Sequence, residues 1–215
     1  MRIILIAAKH LAFAKTRLAP HLPASERAAL AEAMFRDVFA AALSARSADH
    51  VAVVTSDPGL LALARGAGAI AIDEEYPRGL NAAVALATGA LAVQGAETVC
   101  TVLSDIPLIT AGDIDAVFAA MPPEGRGAVL VPSRDFSGTN VIARSPAGVI
   151  PTRFGRLSLV KHLDDCRQQG LPCQVLRLSR PALDLDLHSD LVEFVRAASP
   201  TRTLSHLTRL GIAHH

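Results

Sequence analysis

Short apolar runs recur along this chain, each followed by a stretch with helical periodicity, and that alternation constrains the fold more than any other feature. Runs at 3–8, 50–55, 69–72, 98–103 and 127–132 have the length and composition of buried strands. Between them lie helical segments starting near Ser25, Leu60, Arg78 and Thr110. Strands and helices alternating at this spacing build βαβ units, which predicts an α/β fold with a mixed, mostly parallel sheet flanked by helices. A chain of 215 residues, 51% of them hydrophobic, is ample for one sizeable core, and one domain is expected. Local signals agree. Ser25 is the predicted N-cap of the first helix, Ser56-Asp57-Pro58-Gly59 caps the second, and Thr110 caps the fourth with Asp113 in its first turn.

The second half is less regular. A strand of different direction is predicted at 141–143, a helix at 158–168, a strand at 172–178 and a helix at 189–197. Residues after Pro200 read as an appendage of uncertain order, which bounds the domain at 1–198 and leaves 199–215 outside it; His214-His215 is given no metal role.

Composition removes several classes of function. The 21 Lys and Arg nearly cancel the 20 Asp and Glu, so nothing in the bulk charge favours nucleic acid or an acidic membrane. Aromatics are 4% with no Trp, too few for a base-stacking platform. Cys100, Cys166 and Cys173 show no CxxC or metal-finger spacing, and Cys100, inside an apolar run, reads as a buried inert thiol. No stretch approaches the ~18 unbroken apolar residues of a membrane span. A cytoplasmic location is expected.

The chemistry gathers at strand ends. Lys9, Lys15 and Arg17 occupy the connection after the first strand, where an open α/β sheet binds ligands, and several cations there suit a polyphosphate. There is no Gly-x-Gly-x-x-Gly and no Gly-Lys-Ser/Thr, so the charge must come from side chains. A merely solvated loop is the alternative. Asp105 ends the fourth strand, and Pro107 turns the chain just beyond it. Asp184 and Asp186 share one face of an extended segment. Carboxylates converging from separate strand ends make a reasonable Mg²⁺ site; a turn carboxylate and a solvated edge are the plainer readings. Thr139 and Ser158 offer hydroxyls beside Gly138 and Gly155, with Ser158 alternatively a helix cap. Asn81, after Gly79-Leu80, is either an N-cap or an amide presented to a nucleobase. His162 reads as an exposed or packing residue, and no nucleophile–base constellation is present.

Six motifs in order, Ala14-Lys15-Thr16-Arg17-Leu18, Gly79-Leu80-Asn81-Ala82-Ala83, Ser104-Asp105-Ile106-Pro107-Leu108, Ser137-Gly138-Thr139-Asn140, Arg153-Phe154-Gly155 and Asp184-Leu185-Asp186-Leu187-His188-Ser189-Asp190-Leu191, resemble the guanylyltransferases of coenzyme F420 biosynthesis over about residues 2–196. That resemblance implies a Rossmann-like nucleotidyltransferase fold. It also implies transfer of GMP from GTP, as co-substrate, to the phosphate of a small phosphorylated carboxylic acid, with Mg²⁺ and release of pyrophosphate. By motif, Lys15 and Arg17 hold the triphosphate, with Lys9 added by position. Gly79, Leu80 and Asn81 lie by the guanosine. Asp105 and Asp186 hold metal with Asp184 nearby, and Thr139, Gly155 and Ser158 hold the acid. Lys15, Arg17 and Asp105 are the catalytic set.

The sequence departs from the family pattern at Asn140-Val141, at Arg156-Leu157 in place of a Pro-Gly pair, at Asp186-Leu187-His188 in place of an Asp-Thr-Pro turn, and at Arg78 in place of a glycine. Arg156 adds a cation near the acid, so 3-phosphoglycerate is hypothesised as acceptor ahead of 2-phospholactate and phosphoenolpyruvate. Rival readings are a sugar-nucleotide-dependent transferase of the same fold, for which an Asp-Gly-Gly-type loop is missing, and a non-catalytic nucleotide-binding subunit. Partners are small molecules, and the Ala-rich helix surface leaves room for a homodimer.

Overall fold

Side-chain alternation in the first strand sets the architecture. The computed structural model describes residues 1–212 and places Arg2–Ala7 (β1) inside a seven-stranded sheet, third from one edge. Ile4 and Ile6 point into one apolar cluster, while Ile3, Leu5 and Ala7 point into another on the opposite face. A strand apolar on both sides can lie only between two layers of helices. The first face is covered by α1 (Ala24–Ser44), α2 (Pro58–Gly66) and α4 (Ala111–Ala119), through residues such as Phe35, Leu60 and Phe118. The second is covered by α3 (Leu80–Val93) and α5 (Ser158–Gln168), through Val84, Leu91 and Leu159.

The remaining strands are β2 (His50–Thr55), β3 (Ile70–Asp73), β4 (Thr98–Leu103), β5 (Gly127–Pro132), β6 (Thr139–Ser145) and β7 (Cys173–Val175), in the order β3-β2-β1-β4-β6-β5-β7. Pairing is parallel throughout except around β6, which runs antiparallel to both β4 and β5. One reversed strand therefore interrupts an otherwise parallel sheet, in the place where a strand of different direction is predicted. Its first residues, not its last, arrive at the carboxyl ends of its neighbours.

Local signals hold at two helices and fail at a third. Asp57 caps α2 by accepting from Gly59 N–H at 2.9 Å and Leu60 N–H at 3.1 Å, and Thr110 and Asp113 form a reciprocal capping box on α4. Ser25 is not a cap: α1 begins at Ala24 behind Pro23, whose extended backbone ends the preceding loop and leaves no side-chain cap. The edge strand β7 covers 173–175 rather than 172–178, because it pairs only with Ala128–Leu130 of β5 and its ladder ends there. Cys100 is fully buried and its thiol is pushed up to about 12 by that burial, as an inert core cysteine should be.

The segment read as an appendage is ordered through residue 212. Arg202–Arg209 forms α7, whose Leu207 is fully buried with Leu30 and Met34 of α1 in a third cluster beneath the carboxyl edge of the sheet. Asp37 of α1 accepts from Arg202 N–H at 2.9 Å, Thr203 N–H at 2.8 Å and the Thr203 hydroxyl at 2.6 Å, so α1 supplies the start of α7 with bonding partners. That cap lies 165 residues away in sequence, out of reach of any local pattern. His214 and His215 lie outside the described residues. Leu207→Ala should lower unfolding stability by about 2–5 kcal/mol, the usual cost of emptying a buried leucine site, read by denaturant titration.

Candidate active site

The order β2-β1-β4 makes the carboxyl ends of β1 and β4 a topological switch point, because the chain leaves β1 toward one side and β4 continues the sheet on the other. Open α/β sheets bind ligands in the crevice that opens there. A cavity of about 900 Å³ does occupy this edge, and its wall includes Lys15, Arg17, Asn81, Asp105, Thr139 and Ser158.

The loop after β1 folds into two single 3₁₀ turns, Leu11–Phe13 and Thr16–Leu18. Leu11 N–H donates to Asp57 at 3.0 Å, Ala14 is buried, and Leu18 is fully buried in the third cluster. These anchors hold Lys15 in the left-handed region at φ 51° and ψ 42°, a conformation that costs a non-glycine residue ~1–3 kcal/mol and persists only where surroundings over-determine it. The result is directional. The Lys15 side chain is 8% exposed, and its ammonium donates at 2.9 Å to both Asp105 and Asp186. Arg17 is 70% exposed and reaches the other oxygen of Asp186 at 3.1 Å. Lys9 is exposed in the cavity wall and pairs with no carboxylate among the described residues.

Leu183 and Leu185 are buried while Asp184 and Asp186, alternating with them, line the cavity, as period-two geometry requires. Leu185 N–H donates to the Asp105 carbonyl at 3.0 Å and fixes this segment to the end of β4. Asp190 accepts from the backbone N–H groups of Asp186 and Leu187, at 3.1 and 2.7 Å, and closes the turn into α6 (His188–Arg196). Burial alone would raise the Asp186 carboxyl, but the Lys15 ammonium, with Arg17 and Lys9 behind it, outweighs that and holds its pKa below the usual carboxylate range. Burial likewise works against the Lys15 charge, yet Asp105 and Asp186 keep its pKa above that of a free lysine. Asp184 moves the other way, raised by burial and by the neighbouring Asp105 charge.

For a divalent cation the donor chemistry fits in part. Asp105 and Asp186 converge on one cationic point, and Asp105 Oδ1 is a buried oxygen with no hydrogen-bond partner among the described residues. These are hard oxygen donors of the kind Mg²⁺ takes in ones and twos, with water and phosphate completing its shell. Among the described residues no three carboxylate, imidazole or thiol groups gather into a cage, and the Asp184 carboxylate takes a bond from Asn140 Nδ2 at 3.4 Å.

On the β6 side the groups that meet the start of β6 are neutral, with Arg134, Asp135 and Arg156 beside them in the wall. Gly138 N–H donates to Ser133 Oγ at 2.7 Å, an approach so close that a Cβ at Gly138 would stand 2.9 Å from that oxygen. Next along the chain, Thr139 N–H donates to Ser158 Oγ at 2.8 Å. Ser158 is thus the first residue of α5 and a partner of β6; it does not cap its helix, since the N-cap position is Leu157 at φ 56°. Gly155, at φ 114°, completes the cavity wall there.

Three polar side chains hold this wall. The sequence leaves Asn81 as a cap or a base reader, marks Asn140 only as a departure from the family pattern, and gives His162 as exposed or packing, of which packing is what the structure has. Asn81 neither caps α3, whose N-cap is Gly79, nor offers a free amide to a base. Its Oδ1 accepts from Phe154 N–H at 2.8 Å and its Nδ2 donates to Phe154 C=O at 3.0 Å, which locks the 153–155 loop onto α3. Asn140 is 3% exposed and donates to the carbonyls of Pro181 and Ala182, at 3.0 and 3.2 Å, so β6 carries the acidic segment. His162 is fully buried, 3.0 Å from Thr139 Oγ1, and accepts from Arg153 N–H at 2.8 Å. The one available sequence signal was the placement of polar residues at positions that an amphipathic strand or helix buries.

The ion pair makes a testable statement about protonation. A carboxyl whose folded pKa is depressed contributes stability above its unfolded pKa and loses it as pH falls through the folded value. Lys15→Met should therefore move the Asp186 midpoint upward in a carbon-13 NMR titration and reduce the acid-side loss of stability.

Comparison with known proteins gives the family and the fold. The family model described as "Guanylyl transferase CofC like" matches residues 1–215. The phosphoenolpyruvate guanylyltransferase of Sphaerobacter thermophilus is 38% identical over 89% of this chain and 91% of its own. The 3-phospho-D-glycerate guanylyltransferase of Phenylobacterium zucineum is 36% identical over 92% and 91%. The 2-phospho-L-lactate guanylyltransferase of Methanothermobacter thermautotrophicus is 32% identical over 92% and 85%. In fold alone, a crystal structure described as a nucleotide-diphospho-sugar transferase from Desulfovibrio desulfuricans G20 superposes with a TM-score of 0.78 at 17% identity, over 99% of this chain and 96% of that one. A match across the entire length and relatives this similar place the chain in the family of CofC-like guanylyl transferases.

Proposed function

We propose that this protein transfers GMP from GTP to the phosphate of a small phosphorylated carboxylic acid, in coenzyme F420 biosynthesis, and releases pyrophosphate. The observation that carries the reading is the division of one cavity wall. Cations and carboxylates stand at the ends of β1 and β4, and neutral hydroxyl donors stand at the start of β6 and of α5. Two anionic ligands side by side need such a wall, with paired fixed charges for the triphosphate and hydroxyl donors, with Arg156 beside them, for the acid.

No protein nucleophile is required. An oxygen of the acceptor phosphate forms a bond to the α-phosphorus of GTP while the bond to the β-phosphate oxygen breaks and pyrophosphate departs. Like charges must be brought together, and Lys15, Arg17 and Lys9 offset that repulsion. Mg²⁺ held by Asp105 and Asp186 would supply further neutralisation of the phosphates. Gly79 and Leu80 line the cavity at the start of α3 and form the nucleoside side; Asn81 acts there by fixing the Phe154 loop. Thr139, Ser158 and the backbone at Gly155 receive the acid. Arg156 is an exposed cation in the same wall and favours 3-phosphoglycerate among the acids that relatives are named for.

A pyrophosphate-release assay pairing GTP, ATP or CTP with 3-phosphoglycerate, 2-phospholactate or phosphoenolpyruvate should give turnover with GTP and with 3-phosphoglycerate. Binding of GTP with no pyrophosphate from any pair would mark a non-catalytic subunit; consumption of another acid in its place would correct the acceptor alone. Asp105→Ala should lower the rate by on the order of 10²-fold or more while GTP affinity stays within severalfold. A near-normal rate in Mg²⁺ would remove Asp105 from the metal-holding role.

A further inference from the structure

We infer that His162, which never reaches the cavity, is the positioning residue that makes the Thr139 hydroxyl a hydrogen-bond donor toward the bound acid. This rests on the proposed place of the acceptor beside Thr139 and Ser158. A backbone N–H can only donate, so the bond from Arg153 N–H at 2.8 Å requires His162 Nε2 to present its lone pair. The neutral ring then carries its proton on Nδ1. That nitrogen lies 3.0 Å from Thr139 Oγ1, which must accept. The hydroxyl proton of Thr139 is left over. Among the described residues Thr139 Oγ1 makes no other hydrogen bond, and Thr139 lines the cavity. In the opposite tautomer Nδ1 would take that proton, and the donor would be spent inside the protein.

The surroundings keep this arrangement. The ring is fully buried, edge-on to Phe154 with centroids 5.7 Å apart, and Thr139 is held from its other side by Ser158 Oγ. Phe154 is itself locked by Asn81, so the tautomer of His162 depends on a loop bound to the nucleoside-side helix. Burial first, then the Arg144 charge, lower the imidazole pKa to about 4; Asp165 opposes this, and Arg153 and Lys161 add to it. The ring is therefore neutral at pH 5 and above, and the bond from Arg153 N–H places its proton on Nδ1.

The test combines kinetics with a direct reading of the ring. Nitrogen-15 NMR of the whole protein between pH 5 and 8 should show His162 protonated at Nδ1 alone; a proton on Nε2 overturns the inference. His162→Ala should raise KM for the acid by about tenfold, as loss of one hydrogen bond to a charged group does, with KM for GTP within twofold. His162→Asn, whose amide keeps a donor toward Thr139 but gives up the bond from Arg153, should recover most of that loss. Thr139→Val should reproduce the alanine effect, and the double variant should be no worse than Thr139→Val alone. Additive losses, or equal losses for both substrates, would show that His162 only supports the fold. A wild-type enzyme that transfers GMP to no phosphorylated acid would instead refute the proposed function and the inference with it.

Discussion

The ammonium of Lys15 bound between Asp105 and Asp186 is the interaction on which the rest of this site depends. It joins residues 90 and 171 positions apart, and so ties the loop after β1, the end of β4 and the segment before α6 into one structure. A buried lysine is costly without partners at bonding distance, and two carboxylates brought together repel unless a cation stands between them. Each group is therefore the condition for the others. The left-handed backbone at Lys15, the buried Leu18 on one side and the buried Leu185 on the other all serve that meeting.

Topology decides where it happens. β1 and β4 pair in parallel with their carboxyl ends level, Ala7 beside Leu103, so the residues that follow them emerge at the same edge. The reversal of β6 then brings Thr139 and Asn140 to that edge from the opposite direction. A strand parallel to its neighbours would have delivered its other end. One inverted strand thus puts neutral donors beside a charged pair, and the cavity divides into a part suited to polyphosphate and a part suited to a second, smaller anion.

The neutral side is held by a chain of satisfied polar groups rather than by packing alone. Asn81 grips both backbone groups of Phe154, His162 links Arg153 to Thr139, and Ser158 receives the Thr139 amide. Below them Arg144, 2% exposed and without a carboxylate partner among the described residues, donates to the Ile150 carbonyl at 2.8 Å and to Thr88 at 3.1 Å, and burial brings its pKa down to about 10. Such groups are expensive when unpaired, so each fixes the position of the loop it binds.

The local pattern of the chain carried the α/β class, the parallel units, the reversed strand at 141–143, α5 to the residue, and the caps at Asp57 and Thr110, because periodicity and capping act within one turn or one strand. It also drew attention to Lys9, Lys15, Arg17, Asp105, Asp184 and Asp186 as charges beside predicted strands and an extended segment, with a solvated loop, a turn carboxylate and a solvated edge as the plainer readings. The family resemblance narrowed the cations to Lys15 and Arg17. What it left undetermined depends on partners distant in sequence. Asn81 is at once a plausible cap and a plausible base reader until Phe154, 73 residues on, takes both ends of its amide. His162 reads as either exposed or packing until β6 arrives against it and Thr139 becomes its partner. Residues 202–209 look detached until Asp37 and Leu30 meet them. Short-range physics writes the elements into the sequence, whereas a hydrogen bond or an ion pair belongs to two places in the chain and exists only when folding has brought them together.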